Sequence, residues 1–196
     1  MWFKFCYWLV YIIVKPIYRF KVYGRERLPQ GGVVICGNHT ALVDAVLLVL
    51  SLGPNSDFVA MGKAELFKNP LFGAILRSVH VFPVQRGKND IGAIKHSLKA
   101  LKEGKQLIIF PEGTRVHEGE TVEAKTGAGM LALRSGVPVM PVYITAGKKA
   151  FRGCEVRYGV PFMPSCTGKP GPEDYQRVTD DIMTAIRAAS QRELSA

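Results

Sequence analysis

From Gly32 onward the chain repeatedly sets a short, unbroken apolar run against a longer segment of helical spacing, and this alternation restricts the fold more than any other feature. Gly32 to Gly37 reads as a buried strand, and the apolar run that reaches Leu52 reads as a helix beginning near Asn38 or Thr40. Asp57 to Met61 and His80 to Gln85 read as strands, separated by helical pieces over Lys63 to Phe67 and Pro70 to Val79 that break at Asn69-Pro70. Ile91, Ile94, Leu98 and Leu101 recur on one face of a helix from Ile91 to Lys102, which stops before Gly104. Gln106 to Phe110 is a strand, Thr126 to Arg134 a helix ended by Gly136, and Pro138 to Ile144 and Glu155 to Val160 are strands again. Residues 161 to 174 hold four of the twelve prolines and form a loop before a last helix, Tyr175 to Leu194. The pattern predicts an α/β chain: a single domain with a mixed, mostly buried sheet flanked by helices. At 196 residues there is enough chain for one sizeable core, and no repeat, long linker or low-complexity tract divides it.

One carboxylate interrupts the apolar run. In Asn38-His39-Thr40-Ala41-Leu42-Val43-Asp44 the acid sits among Ala41, Leu42, Val43, Ala45, Val46, Leu47 and Leu48, on a helix apolar on all sides. Such a position is buried, and a buried carboxylate is costly without a partner. His39 is the nearest candidate. Two fully helical residues five apart stand about 140° apart on the wheel, so a His39–Asp44 pair requires His39 in a non-helical cap, curled back from the strand end. Strand ends that feed helix starts are where open α/β sheets collect ligands. On these residues alone an alternative stays open, in which Asn38 caps the helix, His39 lies on the surface and Asp44 points to water.

The charge pattern bears on the partner. Lys and Arg number 26 against 16 Asp and Glu, a net charge of +10, so nucleic acid, anionic lipid and phosphorylated substrates all qualify. Half of that charge falls in the first thirty residues, where Lys4, Lys15, Arg19, Lys21, Arg25 and Arg27 face only Glu26. The same arm carries Phe5 to Val14, ten consecutive apolar or aromatic residues, too few for a bilayer span of about 20. The arm is expected to be a helix lying at a membrane interface, its cations near anionic headgroups. An ordinary core helix is the alternative; a signal peptide is disfavoured by the thin basic region and the lack of a small-residue cleavage site. Residues 1–20 are thus expected to act as an anchor and 21–196 as the working domain, held peripherally or monotopically on the cytoplasmic face of the cell membrane. Cys6, Cys36, Cys154 and Cys166 lack the short paired spacings of zinc or redox motifs, and are expected to be reduced. No RNP, zinc-finger or helix-turn-helix signature supports nucleic acid as the partner.

A histidine held by a carboxylate serves as a general base, because the carboxylate fixes the ring tautomer and stabilises the imidazolium that forms. No serine lies in a G-x-S-x-G elbow, so the hydroxyl to be deprotonated is expected to arrive on the substrate. Phe110-Pro111-Glu112-Gly113-Thr114-Arg115 gathers a carboxylate, a flexible glycine, a hydroxyl and a guanidinium just after a strand. There Arg115 suits bidentate phosphate binding and Glu112 suits accepting from a substrate hydroxyl, although an ordinary turn with a surface ion pair would look the same. Arg86 is likewise at a strand end. His80, His96 and His117 lack such a setting, only Glu118 standing beside His117, and are read as structural or exposed.

Together the blocks resemble the glycerolipid acyltransferases, most closely the bacterial 1-acyl-glycerol-3-phosphate acyltransferases. Asn38-His39 with Asp44, Arg86, the FPEGTR hexapeptide at 110–115 and Val137 to Val142 fall in the order and approximate spacing of that family over roughly residues 20 to 165. The resemblance implies that His39 is the general base and Asp44 its orienting partner. It implies that Arg86, Glu112, Gly113, Thr114 and Arg115 hold the phosphorylated acceptor, with Lys125 of Lys-x-Gly-Ala adding a contact and Pro138 and its neighbours lying near the acyl chain. The reaction it implies passes a fatty acyl group from an acyl-CoA or acyl carrier protein thioester to the sn-2 hydroxyl of lysophosphatidic acid, forming phosphatidic acid, with no cofactor or metal and with amides after His39 as oxyanion donors. Other acceptors, glycerol 3-phosphate or a lyso-aminolipid, and a catalytically silent basic membrane- or nucleic-acid-binding protein are the competing readings. Two departures bear on the acceptor: Gln85 stands where relatives often have Asp, and Val116 where Ser is common.

Overall fold

The computed structural model describes residues 1–85, 90–116 and 123–191. In chain order the elements are α1 (Trp2–Tyr18), β1 (Lys21–Tyr23), β2 (Val33–Gly37), α2 (Val43–Leu52), β3 (Phe58–Lys63), α3 (Pro70–Ser78), β4 (Val81–Val84), α4 (Ile91–Lys102), β5 (Gln106–Ile109), α5 (Gly127–Ser135), β6 (Val139–Ile144), β7 (Glu155–Tyr158) and α6 (Pro172–Ser190). Seven strands form one sheet in the order β1-β7-β6-β2-β5-β3-β4. All neighbours are parallel except β6 and β7, which run antiparallel. The expected mixed sheet is therefore observed. β1 was not expected: three residues with a lysine at their head carry no pattern, and the partner strand β7 lies more than 130 residues on.

β2 lies at the centre and is buried throughout. Its side chains alternate between two cores, as the period of a strand requires. Val33 and Ile35 join Leu47 and Leu48 of α2 and Tyr7 of α1 on one face, while Val34 and Cys36 join Leu101 of α4, Leu131 of α5 and Ile182 of α6 on the other. Helices on both faces explain why these strands read as unbroken apolar runs. On the second face α5 and α6 cross very closely at Gly129, where an added Cβ would stand 2.2 Å from the Tyr175 carbonyl oxygen.

α1 has two faces. Inward, Tyr7 is buried and its hydroxyl donates to the Leu50 carbonyl at 2.8 Å, with Phe3, Tyr11 and Val14 packed beside it. Outward, Trp2, Phe5, Leu9, Ile12 and Ile13 are exposed. At its end the Phe151 amide donates to the Ile17 carbonyl at 2.5 Å, joining the helix to the segment that follows β6. Among the described residues no helix is long and apolar enough to cross a membrane.

Candidate active site

Two parallel pairings assemble the site. β2 pairs with β5 from Val33↔Gln106 to Cys36↔Ile109, which sets the residues after Gly37 beside Phe110 to Val116. β2 pairs with β6 on its other edge up to Gly37↔Val142, which brings in the residues after Ile144. Asn38 fastens that second edge. It is buried, its amide donates to the Ile144 carbonyl at 2.9 Å, and its Oδ1 accepts from the Ile144 amide at 2.7 Å. The cap-and-surface reading of this stretch is thereby excluded.

His39 lies in the non-helical junction, as a pair with Asp44 required, and α2 begins only at Val43. The later start has a local cause. Asp44 Oδ2 accepts from the Thr40 amide at 2.6 Å and the Ala41 amide at 2.7 Å, so its carboxylate holds these residues in a turn that competes with helix. The same oxygen stands 3.2 Å from His39 Nδ1, with the side chains 12% and 0% exposed. Nδ1 donating to Asp44 leaves Nε2 as the basic nitrogen. The ring stacks on Phe110 with centroids 4.4 Å apart. Burial opposes the charge on Asp44, yet hydrogen bonds from His39, Lys148 and the Ala41 amide outweigh it and hold the carboxyl below its usual range. The Thr40 and Ala41 amides both donate to Asp44, so these two of the amides that follow His39 are already engaged.

Glu112 is turned inward. It is 7% exposed, and its Oε2 accepts from the His39 amide at 2.5 Å, so that oxygen is engaged by the His39 loop. The Val116 amide donates to the His39 carbonyl at 2.8 Å, which makes the hexapeptide and the His39 loop one unit. Burial pushes the Glu112 carboxyl up from 4.5 to about 7, with the Asp44 charge adding to the shift and the His39 amide opposing it. A carboxyl raised on folding binds more protons folded than unfolded, so its stabilising contribution is full below about 4.5 and is lost as pH rises through about 7. Glu112→Gln keeps an acceptor for the amide without the charge, so it is expected to gain about 1–3 kcal/mol over the wild type at alkaline pH and little near pH 5. Thermal unfolding of both proteins across that range is the check; a difference that does not change with pH contradicts it.

Gly113 adopts φ +66°, a conformation that favours glycine, and it lies close to the Lys125 side chain. The Lys125 amide donates to the Pro111 carbonyl at 2.7 Å. Thr114, Arg115 and Lys125 are exposed. Arg86, with His117 and Glu118, lies outside the described residues. Pro138 opens β6 at the end of the sheet opposite His39. His80 packs on Phe3 and Phe58, and His96 on Phe82, in keeping with their structural reading. The four cysteines are free. Among the described residues no three His, Cys, Asp or Glu side chains converge as a metal site.

Lys148 escaped the sequence reading. Its ammonium lies 2.6 Å from Asp44 Oδ1, the two side chains being 1% and 0% exposed. Nothing in Thr145-Ala146-Gly147-Lys148-Lys149 separates this lysine from its neighbour Lys149.

Comparison with known proteins gives a consistent set of relatives. A family model described as Acyltransferase matches residues 19–145. The 1-acyl-sn-glycerol-3-phosphate acyltransferase of Bacillus subtilis is 36% identical over 154 residues, covering 76% of each chain. The enzyme of the same description from Pseudomonas aeruginosa is 30% identical over 151 residues, 75% of this chain and 56% of that one. A chloroplastic relative from Brassica napus is 31% identical over 135 residues, 67% of this chain and 38% of its own. The crystal structure of the 1-acyl-sn-glycerophosphate acyltransferase of Thermotoga maritima aligns with a TM-score of 0.65 at 24% identity, covering 90% of this chain and 73% of that one; at this identity the likeness is one of fold.

Proposed function

The chain belongs to the acyltransferase family, and from that premise we propose that it transfers a fatty acyl group from a thioester donor, acyl-CoA or acyl carrier protein, to the sn-2 hydroxyl of lysophosphatidic acid, giving phosphatidic acid. The observation that carries this reading is the His39–Asp44 pair at 3.2 Å, fastened through Glu112 and Val116 to a segment that presents Arg115 to solvent. His39 Nε2 takes the proton of the acceptor hydroxyl as the oxygen attacks the thioester carbonyl. The tetrahedral intermediate then collapses with departure of the thiolate, which the imidazolium protonates. No acyl-enzyme enters this scheme.

Arg115, with Arg86, Thr114 and Lys125, is assigned the acceptor phosphate. Because a planar guanidinium engages a phosphate through two donors, an ammonium is a poor substitute. Arg115→Lys is expected to lose about ten- to a hundredfold in kcat/KM for lysophosphatidic acid, and far less for a monoacylglycerol without the phosphate. The assay uses purified protein with both thioester donors against lysophosphatidic acid, glycerol 3-phosphate and a lyso-aminolipid. Turnover confined to another acceptor overturns the substrate assignment; equal losses by Arg115→Lys on both acceptors overturn its role.

The outward face of α1, flanked by Lys4, Lys15 and Arg19, is assigned to an anionic membrane surface on the cytoplasmic side. Removing the whole arm would also strip Tyr7 from the core. A cleaner test replaces Phe5, Leu9, Ile12 and Ile13 together with Ser, leaving the inner face intact. Flotation with vesicles of anionic phospholipid is expected to fall at least tenfold, since about 0.8 kcal/mol goes with each buried methylene. Binding that survives these substitutions in high salt places the membrane contact elsewhere.

A further inference from the structure

Lys148 is set into the site too completely for a surface lysine. Its ammonium forms an ion pair with Asp44 Oδ1 at 2.6 Å and donates to Thr40 Oγ1 at 3.0 Å and to the Thr145 carbonyl at 2.5 Å. A lysine side chain 1% exposed is rare unless paired. Its approach is set by β6, on the edge of β2 opposite β5, so the Asp44 carboxylate is held from two sides. Oδ2 receives His39 and the Thr40 and Ala41 amides, while Oδ1 receives Lys148. Thr40 closes the ring: its amide donates to one oxygen, and its hydroxyl accepts from the ammonium that serves the other. The residue lies three positions beyond the end of the family match.

We propose that Lys148 is a positioning residue for the His39–Asp44 dyad: its ammonium keeps Asp44 ionised and fixes the carboxylate so that Oδ2 stays aimed at His39 Nδ1. This rests on reading His39 as the base. The groups facing Asp44 are His39 from the β2 end, Glu112 from the β5 end, Lys148 after β6, and Cys154 beside β7 at longer range. Lys148 is the cation among them that lowers the Asp44 carboxyl; without it, burial is opposed by the amides and the ring alone. Protons bound by a coupled pair belong to the pair, so the acidic limb of activity moves to higher pH when the ammonium is removed. A lysine that merely pinned the loop would lower the amount of active protein or its rate without moving that limb.

The experiment is the pH dependence of kcat and of kcat/KM for lysophosphatidic acid, from about pH 5 to about pH 9, in the wild type and in Lys148→Met, with folding followed by circular dichroism. Because Glu112 titrates in the same window, the pair is also compared in the Glu112→Gln background. Expected are a fall in kcat of about tenfold at neutral pH, an acceptor KM within about twofold, and an acidic limb displaced upward. Lys148→Arg, which keeps the charge, should bring the limb back toward its wild-type position. A folded Lys148→Met protein whose limb coincides with that of the wild type overturns the proposal, whatever its kcat. Should Lys148→Met not fold, Thr40→Val takes its place, since it removes one acceptor from the ammonium and keeps the Thr40 amide. There a smaller upward displacement supports the proposal and an unmoved limb overturns it. Activity retained by His39→Ala would instead sink the underlying assignment of the base, so the two failures are distinguishable.

Discussion

His39→Ala is expected to lower turnover by about 10²–10⁴-fold while leaving a folded protein, since a positioned base contributes about that much. The ring is 12% exposed and leans on Phe110, so its removal opens the site to water and does not hollow the core. The loop survives because it is held by groups other than the imidazole: the His39 amide by Glu112, its carbonyl by the Val116 amide, and Asn38 by Ile144. Rate measurement on protein with an unchanged circular dichroism spectrum decides the matter. Wild-type turnover in such a preparation would remove the general-base mechanism altogether.

Asp44→Asn is expected to harm both rate and stability, for separate reasons. The rate falls by about 10²–10⁴ because an amide at this position no longer selects the His39 tautomer or balances the imidazolium. Stability falls because the ammonium of Lys148 keeps its place, 1% exposed, with no anion to meet it. Breaking one partner of a buried pair costs about 3–5 kcal/mol, which in a chain of this size lowers Tm by about 6–20 °C. The amide also matches its surroundings poorly, since both carboxylate oxygens now meet donors and an Asn offers only one oxygen. Adding Lys148→Met to Asp44→Asn should recover much of the stability and none of the rate. A single Asp44→Asn variant with wild-type Tm would show that the ammonium leaves the site when its anion is lost.

The dyad was legible because its signal is local. An acid inside an apolar run demands a partner, and the five-residue interval to His39 admits a pair only if one of the two is outside the helix. The sheet was legible because strands covered on both faces become unbroken apolar runs. The start of α2 was misplaced because its first turn is decided by hydrogen bonds to the Asp44 side chain and not by helix propensity. Glu112 and Lys148 illustrate what the pattern could not hold. Glu112 could be located but its inward orientation could not, since that depends on the His39 amide 73 residues earlier. Lys148 owes its role to an acid more than a hundred positions away, brought close by the pairing of β2 with β6. The membrane reading of α1 took an apolar run as one surface, whereas the helix divides it between the core and the exterior.

The pairing of β2 with strands far along the chain also governs when a newly made molecule becomes competent. His39 and Asp44 leave the ribosome early, but Glu112 follows more than seventy residues later and Lys148 more than a hundred after Asp44. Contacts so distant in sequence form late and slowly, because long loops must close first. Until β5 has settled against one edge of β2, the His39 amide lacks its acceptor; until β6 has settled against the other, the Asp44 carboxylate lacks its cation. A half-synthesised chain therefore carries the two residues of the dyad with neither of their flanking supports, and competence arrives only when the second edge of the central strand is filled.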